Sequence, residues 1–418
     1  MRIAARKDGA GLDGRWSLAI LAAIICLAAF LRLDFITSVS HKVSHDTINY
    51  DIMVRQLLEQ GVYAYKDTKP NAQVTPGYPL LMAAVYKAVD YRHHDPYPAI
   101  RYLQVLMSLA NICLIYLLGR KLGGQAVGWI AALAAAIYPP FVWTTGAILT
   151  ETMAALLFTL YVFLQLIAFE RRTKLSALLA GVAMGLTVLT RSEFLILIGA
   201  SYAFLWLWKR DFAGTLRLLA WTVLGTAIVL SPWVIRNAVS LHELVVASTQ
   251  VNPFAAGTYP NKNYEDGLVD RHGKTQMEVA KERLRVGFTE HTWTFVKWYT
   301  VGKLKYIYGA MFFGSGHGPL YPVIPMRGGY HLLLIWTGLV STLALAYRWR
   351  QPAALLAVLL VVITVTRLAF VPEFRYNFTA MPLIIVIDSF IAVALAKALA
   401  NLRRPKPAAA SETRRSAG

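Results

Sequence analysis

The stretch SHDTINYDIMVRQLLEQGVYAYKDTKPNAQVTPGYP, residues 44–79, follows the first long apolar run of the chain. Asp46 comes just after that run, where a carboxylate lies at a membrane surface rather than inside the membrane. Apolar and polar residues alternate over residues 48–59 at roughly helical spacing, which predicts a short amphipathic helix that stops at Gly61. The following residues break regular backbone: Pro70, Pro76, Gly77 and Pro79. A carboxylate, an interfacial helix and a shaped loop in series predict a site at a membrane face.

The composition excludes a soluble globular protein. Of the 418 residues, 56% are hydrophobic and 16% are charged, whereas charged residues make up about a quarter of a typical soluble protein. Several apolar stretches of about twenty residues predict an all-α polytopic membrane protein. The first apolar run continues to about Leu33 without a small-residue cleavage site, so we expect it to be retained as a membrane helix.

The formal net charge of +19 fits a membrane protein with basic loops that meet anionic lipid or phosphate. The sequence has no basic helix and no aromatic-basic surface motif, so nucleic acid is not an expected partner. Cys26 and Cys113 both lie in apolar runs and lack the spacing of a disulfide framework or a zinc site, which predicts packing residues.

Ten membrane helices are predicted, and ambiguous segments extend the expected range to about 10–12. The ten lie at 17–35, 98–119, 126–144, 149–168, 175–190, 193–208, 218–236, 330–347, 353–371 and 378–397. Residues 76–90 are too short to span comfortably and predict a re-entrant or interfacial segment. Residues 292–313 are interrupted by Lys297, Lys303 and Lys305, so we expect this segment to lie along a surface.

The predicted spans divide the chain into four regions. Residues 1–236 form a transmembrane core that includes a first outer loop at 36–97. A large outer segment at 237–329 precedes the last three helices at 330–400, and the Ala-, Ser- and Arg-rich tail at 401–418 is expected to be disordered and cytoplasmic.

Basic residues predict the orientation of the helices. With the N-terminus in the cytoplasm, the short loops on the cytoplasmic side are basic and those on the opposite side are poor in Lys and Arg. This orientation places a set of ionisable residues on the extracytoplasmic side: Asp46, Glu151, Arg191, Arg236 and Arg375. We therefore expect the chemistry of the protein on the extracytoplasmic face.

Several short motifs resemble those of GT-C glycosyltransferases, in the branch with protein O-mannosyltransferases and bacterial lipid A sugar transferases. In the first outer loop, the matching residues are Asp46, Tyr50, Gly61-Val-Tyr63 and the TPGYP turn at 75–79. Further along, the matches are the TRxE-like turn at 189–193, the SPWxxRN segment at 231–237, and Arg375-Tyr376 with Pro382. The resemblance runs over nearly the whole chain and implies a GT-C fold with interfacial helices in the first outer loop.

In that family, an acidic residue at the position of Asp46 is the catalytic carboxylate or lies beside it, and Glu151 occupies the place of a second acidic residue. Transfer of a sugar from a phosphate to a hydroxyl needs a base that takes the hydroxyl proton. Two carboxylates that converge on one cavity would supply this base and orient the acceptor. Each residue also has a structural alternative, because Glu151 is expected to cap a helix N-terminus and Asp46 to be a capping or solvated loop residue.

Arg191, Arg236 and Arg375 are the candidate phosphate-binding residues, since arginine binds phosphate in a bidentate manner. The alternative is that they reach lipid headgroups or pair with Glu193 and Glu373 to hold helix ends together. The resemblance adds four further candidates for substrate binding: His45, Tyr50, Tyr78 and Tyr376. Where lipid A transferases carry a Lys-Pro-Pro type turn, this chain has TPGYP, which leaves any phosphate contact of that lysine without a counterpart.

No metal or other cofactor is assigned. His41, His45 and Asp46 are spaced to bind a divalent ion only if their segment is helical, and solvated histidines are the alternative. Most aromatic residues of the outer loops are explained by interfacial belts.

The sequence and the resemblance together predict an inverting glycosyltransferase of the bacterial inner membrane. Its partners would be a polyprenyl-phosphate-linked sugar donor, an extracytoplasmic acceptor (lipid, glycan or protein) and membrane lipid. The rival prediction is a transporter or lipid flippase without transfer activity. Membrane helices that are nearly free of charge in mid-span, with charges collected on one face, favour the enzyme.

Overall fold

A computed structural model describes residues 14–313 and 327–402, and the regular structure of these residues is helical, with no β-strand. The predicted tail at 401–418 lies almost entirely outside the described residues. The long stretches of apolar sequence leave only helices as a way to satisfy every backbone hydrogen bond within a membrane.

The first ten helices are α1 (Gly14–Ser38), α2 (His45–Gln60), α3 (Gly77–Ala88), α4 (Tyr97–Gly123), α5 (Gln125–Ile137), α6 (Pro139–Trp143), α7 (Glu151–Arg171), α8 (Lys174–Thr190), α9 (Ile196–Lys209) and α10 (Phe212–Leu241). The remaining helices are α11 (Asn252–Gly257), α12 (Gln276–Thr289), α13 (Thr292–Lys297), α14 (Lys303–Tyr308), α15 (Arg327–Tyr347), α16 (Ala354–Arg367), α17 (Arg375–Phe378) and α18 (Met381–Leu402).

Within the described ranges, six helices are long and apolar enough to cross a membrane: α1, α4, α7, α10, α15 and α18. Each of the ten predicted spans contains a helix, and the other four contain the shorter helices α5, α8, α9 and α16. The predicted span at 126–144 is broken, because α5 ends at Ile137 and the prolines that follow begin the separate helix α6. The predicted amphipathic helix at 48–59 is confirmed as part of α2, and the segment at 76–90 contains the helix α3.

Close packing against α10 fixes the first half of α8. A Cβ added at Gly181 would lie 2.1 Å from the carbonyl oxygen of Thr222, so only glycine allows this approach. Thr222 and Thr226 of α10 donate hydrogen bonds to carbonyl oxygens of α8, those of Ala177 (2.9 Å) and Gly181 (3.0 Å). Small residues and hydroxyl bonds of this kind hold membrane helices together where lipid supplies no hydrophobic drive.

Arg32 and Asp388 are ionisable residues inside the predicted spans, and each has a partner on another helix. Arg32 of α1 is fully buried and donates hydrogen bonds to Ser108 of α4 (2.8 Å) and to the carbonyl oxygen of Ala136 in α5 (3.0 Å). Asp388 of α18 accepts a hydrogen bond from Thr337 of α15 at 2.8 Å. Both side chains therefore join neighbouring helices.

The segment at 292–313, expected along a surface, instead packs into the protein over part of its length. Lys303 is fully buried, and its ammonium group donates a hydrogen bond to the carbonyl oxygen of Leu368 at 2.6 Å, just after α16. Burial lowers the pKa of Lys303 to about 7. Trp298 is also buried and donates to the carbonyl oxygen of Gly257 in α11.

The loop that follows α16 is held by the segment between α10 and α15. The backbone N–H of Val371 donates to the carbonyl oxygen of Pro253 at 2.7 Å, and Lys262 forms an ion pair with Glu373 at 2.6 Å. Glu373 is two residues before Arg375, so these contacts fix the loop that presents Arg375.

Candidate active site

The start of α2 positions Asp46. The Ser44 side chain accepts a hydrogen bond from the backbone N–H of Thr47, and the Thr47 hydroxyl donates to the carbonyl oxygen of Ile148 at 3.0 Å. Asp46 is thereby held in the first turn of α2, beside the loop that leads into α7. Its Oδ2 accepts a hydrogen bond from Nη1 of Arg375 at 2.8 Å, and each side chain is 36% exposed.

Glu151 is the first residue of α7, and its side chain is 1% exposed. Nη2 of Arg191 donates to Glu151 Oε1 at 2.6 Å, and Nε of Arg191 donates to the Thr150 hydroxyl at 3.2 Å. The position at a helix N-terminus also favours a carboxylate, so the predicted capping role and the ion pair occur together.

The ion pairing continues beyond Arg191 to Glu193, in the turn between α8 and α9, and to Arg367, the last residue of α16. Glu193 lies 3.9 Å from Arg191 and accepts a hydrogen bond from Arg367 at 2.7 Å. Arg367 is fully buried and also donates to the Tyr376 carbonyl oxygen (2.5 Å) and to the Thr379 hydroxyl (2.6 Å). Burial by itself raises the pKa of Glu193, but the charges of Arg367 and Arg191 outweigh burial and lower the pKa below its ordinary value.

The Asp46–Arg375 pair and the Glu151–Arg191 pair belong to one charged cluster. Burial lowers the pKa of Arg375, but the negative charge of Glu151 and that of Asp46 outweigh burial and raise it above its ordinary value. The cluster contains three carboxylates and three guanidinium groups, so its formal charge is zero: Asp46, Glu151, Glu193, Arg191, Arg367 and Arg375. We call this set the ion cluster.

Tyrosines cover the ion cluster on the side of the first loop. The Tyr50 ring lies 5.7 Å from that of Tyr65 and 5.9 Å from that of Tyr78. Tyr78 is fully buried, and its hydroxyl donates to Gln104 at 3.2 Å. Burial, followed by the charge of Asp46, raises the pKa of Tyr65 to about 12, so its hydroxyl stays protonated and able to donate. The guanidinium carbon of Arg191 lies over the ring of Tyr376, 5.9 Å from the ring centre.

The TPGYP turn packs against the end of α8 directly before Arg191. The Thr75 hydroxyl donates to the carbonyl oxygen of Thr190 at 3.1 Å. A Cβ at Gly77 would lie 2.6 Å from the carbonyl oxygen of Leu189, which is closer than real Cβ contacts, so the turn needs glycine here. The turn therefore helps to fix the backbone that presents Arg191.

Arg236, the third predicted phosphate residue, makes its contacts in the first loop. Its guanidinium donates to the carbonyl oxygens of Tyr63 (2.8 Å) and Asn71 (3.0 Å) and to the side chain of Asn237 (2.9 Å). It also stacks over the Tyr63 ring at 5.1 Å. Because these donors are directed at backbone carbonyl groups, Arg236 fastens the loop at 61–76 onto α10.

The three residues of the possible metal set do not come together. Residues 41–44 are not helical, so the spacing that would align His41 with His45 is absent. His41 instead hydrogen-bonds to the carbonyl oxygen of Ile36 (3.1 Å), and its ring meets Phe35 edge to face, while His45 is exposed. In the described part of the chain, no group of three His, Cys, Asp or Glu side chains is placed to hold a metal ion.

Sequence reasoning missed Arg367 and gave Glu193 only a structural role. Arg367 ends an otherwise apolar helix, and an ionisable residue in such a place is itself a signal of a functional or structural partner. Tyr65 carries no sequence signal that sets it apart from the other loop aromatics, since its place beside Asp46 depends on the fold of the loop.

Residues 73–235 match the family model described as "Dolichyl-phosphate-mannose-protein mannosyltransferase". No curated protein matches the chain in sequence.

Solved structures of this fold are similar over nearly the whole chain. The oligosaccharyltransferase AglB from Archaeoglobus fulgidus, in complex with an inhibitory peptide and a dolichol-phosphate, matches with a TM-score of 0.58 and 17% identity over 94% of this chain and 52% of its own. ArnT from Cupriavidus metallidurans, bound to undecaprenyl phosphate, matches with a TM-score of 0.55 and 16% identity over 94% of this chain and 63% of its own. This chain therefore spans about half to three fifths of these proteins, and the predicted GT-C resemblance is confirmed.

Proposed function

We propose that the protein is a glycosyltransferase that moves a sugar from a polyprenyl-phosphate carrier to a hydroxyl group of an acceptor. The observation that carries the proposal is the half-exposed pair of Asp46 and Arg375, a carboxylate and a guanidinium in contact at 2.8 Å. Glycosyl transfer from a phosphate needs a base for the acceptor hydroxyl and a cation for the leaving phosphate, and this pair supplies one group of each kind. The dolichol-phosphate and undecaprenyl phosphate in the two similar structures support a lipid phosphate as the donor's leaving group.

The proposed reaction is a single displacement. The acceptor oxygen forms a bond to the anomeric carbon of the sugar while the bond from that carbon to the phosphate oxygen breaks. The hydroxyl proton passes to the Asp46 carboxylate, and the bonding electrons leave with the polyprenyl phosphate, whose negative charge Arg375 stabilises. Because attack and departure occur on opposite faces, the configuration at the anomeric carbon inverts.

Glu151 and Arg191 support this step from a buried position. The pair is nearly closed to solvent, so its Coulomb interaction is screened less than that of a surface pair. We assign Glu151 the second carboxylate's role, in which it holds Arg191 and its negative charge attracts the Arg375 guanidinium.

The proposed location is the bacterial inner membrane, with the ion cluster on the extracytoplasmic side. The basic loops predicted to be cytoplasmic lie at the opposite ends of the helices, where Lys121 pairs with Glu170 and Arg172 pairs with Asp211. A donor linked to a membrane lipid is the form of activated sugar available on the extracytoplasmic side.

Purified protein in proteoliposomes tests the proposal, with radiolabelled polyprenyl-phosphate sugars as donors and host membrane extract as the source of acceptor. We expect the wild type to consume one donor and Asp46→Asn to lose most of that activity. The matched control is Asp67→Asn, an exposed loop residue whose side-chain oxygen accepts bonds from two backbone N–H groups that asparagine can also satisfy. If Asp46→Asn retained wild-type turnover, Asp46 would not be the base, and if no donor were consumed with any extract, the transferase proposal would be refuted.

A further inference from the structure

All three arginines of the ion cluster are already bound to carboxylates. Arg191 is held by Glu151, Arg367 by Glu193, and Arg375 by Asp46. The cluster is electrically neutral, so it offers an incoming phosphate no cation that is free of a carboxylate partner. A phosphate anion that binds an arginine of the cluster therefore competes with that arginine's carboxylate partner.

The three pairs differ in how easily they can be broken. The side chains of Arg191 and Glu151 are 12% and 1% exposed, and those of Arg367 and Glu193 are 0% and 15% exposed. Breaking a buried pair leaves an uncompensated charge away from water, which is strongly unfavourable. The side chains of Asp46 and Arg375 are both 36% exposed, and pairs near the surface are held only weakly.

We infer that the lipid phosphate displaces Asp46 from Arg375, so that binding of the donor releases the carboxylate that serves as the base. This inference rests on the proposed function and deepens it, because it selects one of three candidate phosphate residues and couples donor binding to base activation. Before the donor binds, Asp46 is occupied by Arg375. After the exchange, the Asp46 carboxylate is free to accept the acceptor's proton.

In this scheme, the buried residues of the ion cluster hold Arg375 in position. They are Glu151, Arg191, Glu193 and Arg367. Arg367 donates to Glu193, to the Tyr376 carbonyl oxygen and to Thr379, so it fixes the short helix α17 that begins with Arg375. Arg191 joins Glu193 to Glu151. These contacts keep Arg375 in place while its partner changes from Asp46 to phosphate.

A double-mutant cycle on the full-length protein in lipid nanodiscs tests the exchange, with undecaprenyl phosphate as the probe and its dissociation constant as the readout. We expect Asp46→Asn to bind the probe about three- to tenfold more tightly than the wild type, because Arg375 no longer has to give up a carboxylate. Arg375→Gln should bind at least about tenfold more weakly. In the Arg375→Gln background, Asp46→Asn should produce no gain.

Two comparisons separate the exchange from simple charge repulsion and from misfolding. Glu151→Gln removes one negative charge from the same cluster but breaks a buried pair, so we expect it to give no gain in affinity. Arg375→Lys supplies a second background if Arg375→Gln does not fold, and it should reduce the gain from Asp46→Asn. A gain in affinity is a result that loss of structure does not produce.

Inorganic phosphate and undecaprenol serve as the two partial probes. We expect the Asp46→Asn gain with inorganic phosphate, at weaker affinity, and no gain with undecaprenol. The exchange is overturned if Asp46→Asn binds undecaprenyl phosphate no more tightly than the wild type, if the gain persists without Arg375, or if undecaprenol shows the gain. If the wild type bound no polyprenyl phosphate at all, the donor class in the proposed function would be wrong as well. The other outcomes overturn only the exchange and leave the proposed function standing.

Discussion

The two halves of the ion cluster use the same chemical groups in different surroundings. In the buried half, Glu151, Arg191, Glu193 and Arg367 form a continuous series of contacts that joins the start of α7, the α8–α9 turn and the end of α16. In the half-exposed part, Asp46 meets Arg375 between the first loop and α17. Under the proposed mechanism, the difference in burial separates a structural role from a chemical one, because only an accessible pair can exchange its partner for a substrate.

The hydrogen bonds of the buried Arg367 and the more exposed Arg375 differ in a matching way. Arg367 has its donors directed at a carboxylate, a carbonyl oxygen and a hydroxyl group, so that its guanidinium is satisfied within the protein. Arg375 has one hydrogen bond to Asp46, which leaves donors of its fork available. Arginine with unused donors beside a carboxylate is suited to bidentate recognition of phosphate.

The largest expected effect on activity comes from Arg375. Replacing it with glutamine removes the cation that stabilises the leaving phosphate, and we expect the transfer rate to fall about 10²–10³-fold. The measurement is the rate of sugar transfer from the lipid-linked donor in proteoliposomes. Arg375→Lys should retain part of the rate, since it keeps the charge without the fork, and a rate above one tenth of wild type in Arg375→Gln would contradict this role.

The largest expected effect on stability comes from Arg367. Arg367→Leu leaves Glu193 buried with only the more distant Arg191, and we expect the free energy of unfolding to fall by about 3–5 kcal/mol. Unfolding in mixed micelles with increasing SDS measures the change. Arg55→Leu is the control, because Arg55 also pairs with a carboxylate, Asp51, but is more exposed and should cost about 1 kcal/mol or less. Equal losses in both variants would remove the distinction between buried and exposed pairs.

The pH dependence of stability should follow Glu193. Its pKa is lower in the folded protein than in the unfolded chain, so its contribution to stability is present above about pH 4.5 and is lost as the pH falls through the folded-state pKa. We expect the stability difference between the wild type and Glu193→Gln to be largest near neutral pH and to shrink below about pH 4.5. Unfolding curves from pH 3 to 7 test this, and a difference that is constant with pH would show that Glu193 is not a charged partner of Arg367.

The smallest effect on donor binding is expected from Arg236. Because its guanidinium is directed at carbonyl oxygens of the first loop, Arg236→Gln should lower the free energy of unfolding by about 1–3 kcal/mol. Its dissociation constant for undecaprenyl phosphate should stay within about twofold of the wild-type value. Binding in nanodiscs measures this, and a tenfold loss of affinity in a folded Arg236→Gln protein would restore Arg236 as a phosphate residue.

The sequence predicted the class of fold and most members of the site, for identifiable physical reasons. Apolar runs of about twenty residues predict helices in a membrane, and the alternation at 48–59 with Gly61 predicts α2 and its end, where Gly61 adopts the left-handed conformation. Glu151 was found because a charged residue at the start of an apolar helix is costly unless it has a partner, and Asp46, Arg191 and Arg375 were found because they match GT-C motifs at outer ends of helices.

The pairing within the site could not be predicted, because it depends on contacts between distant parts of the chain. Asp46 and Arg375 are separated by 329 positions, and nothing local indicates that they meet. The three arginines looked alike in sequence, whereas in the structure Arg236 binds backbone carbonyl groups and Arg191 binds a buried carboxylate. The three arginines are distinguished by the burial of their side chains and partners. Sequence periodicity predicts burial only for whole helix faces, not for single side chains.

The most direct test of the central claim is the transfer rate of Asp46→Asn at saturating donor, measured beside its thermal unfolding midpoint. Saturation removes the expected gain in donor affinity from the comparison, and measurement over a single turnover excludes release of the polyprenyl phosphate product, so the rate reports the chemical step. We predict a fall of at least about 100-fold in rate with an unfolding midpoint close to that of the wild type, because the lost pair is half exposed. A rate near that of the wild type, or a loss of rate only in step with a loss of the fold, would contradict the account.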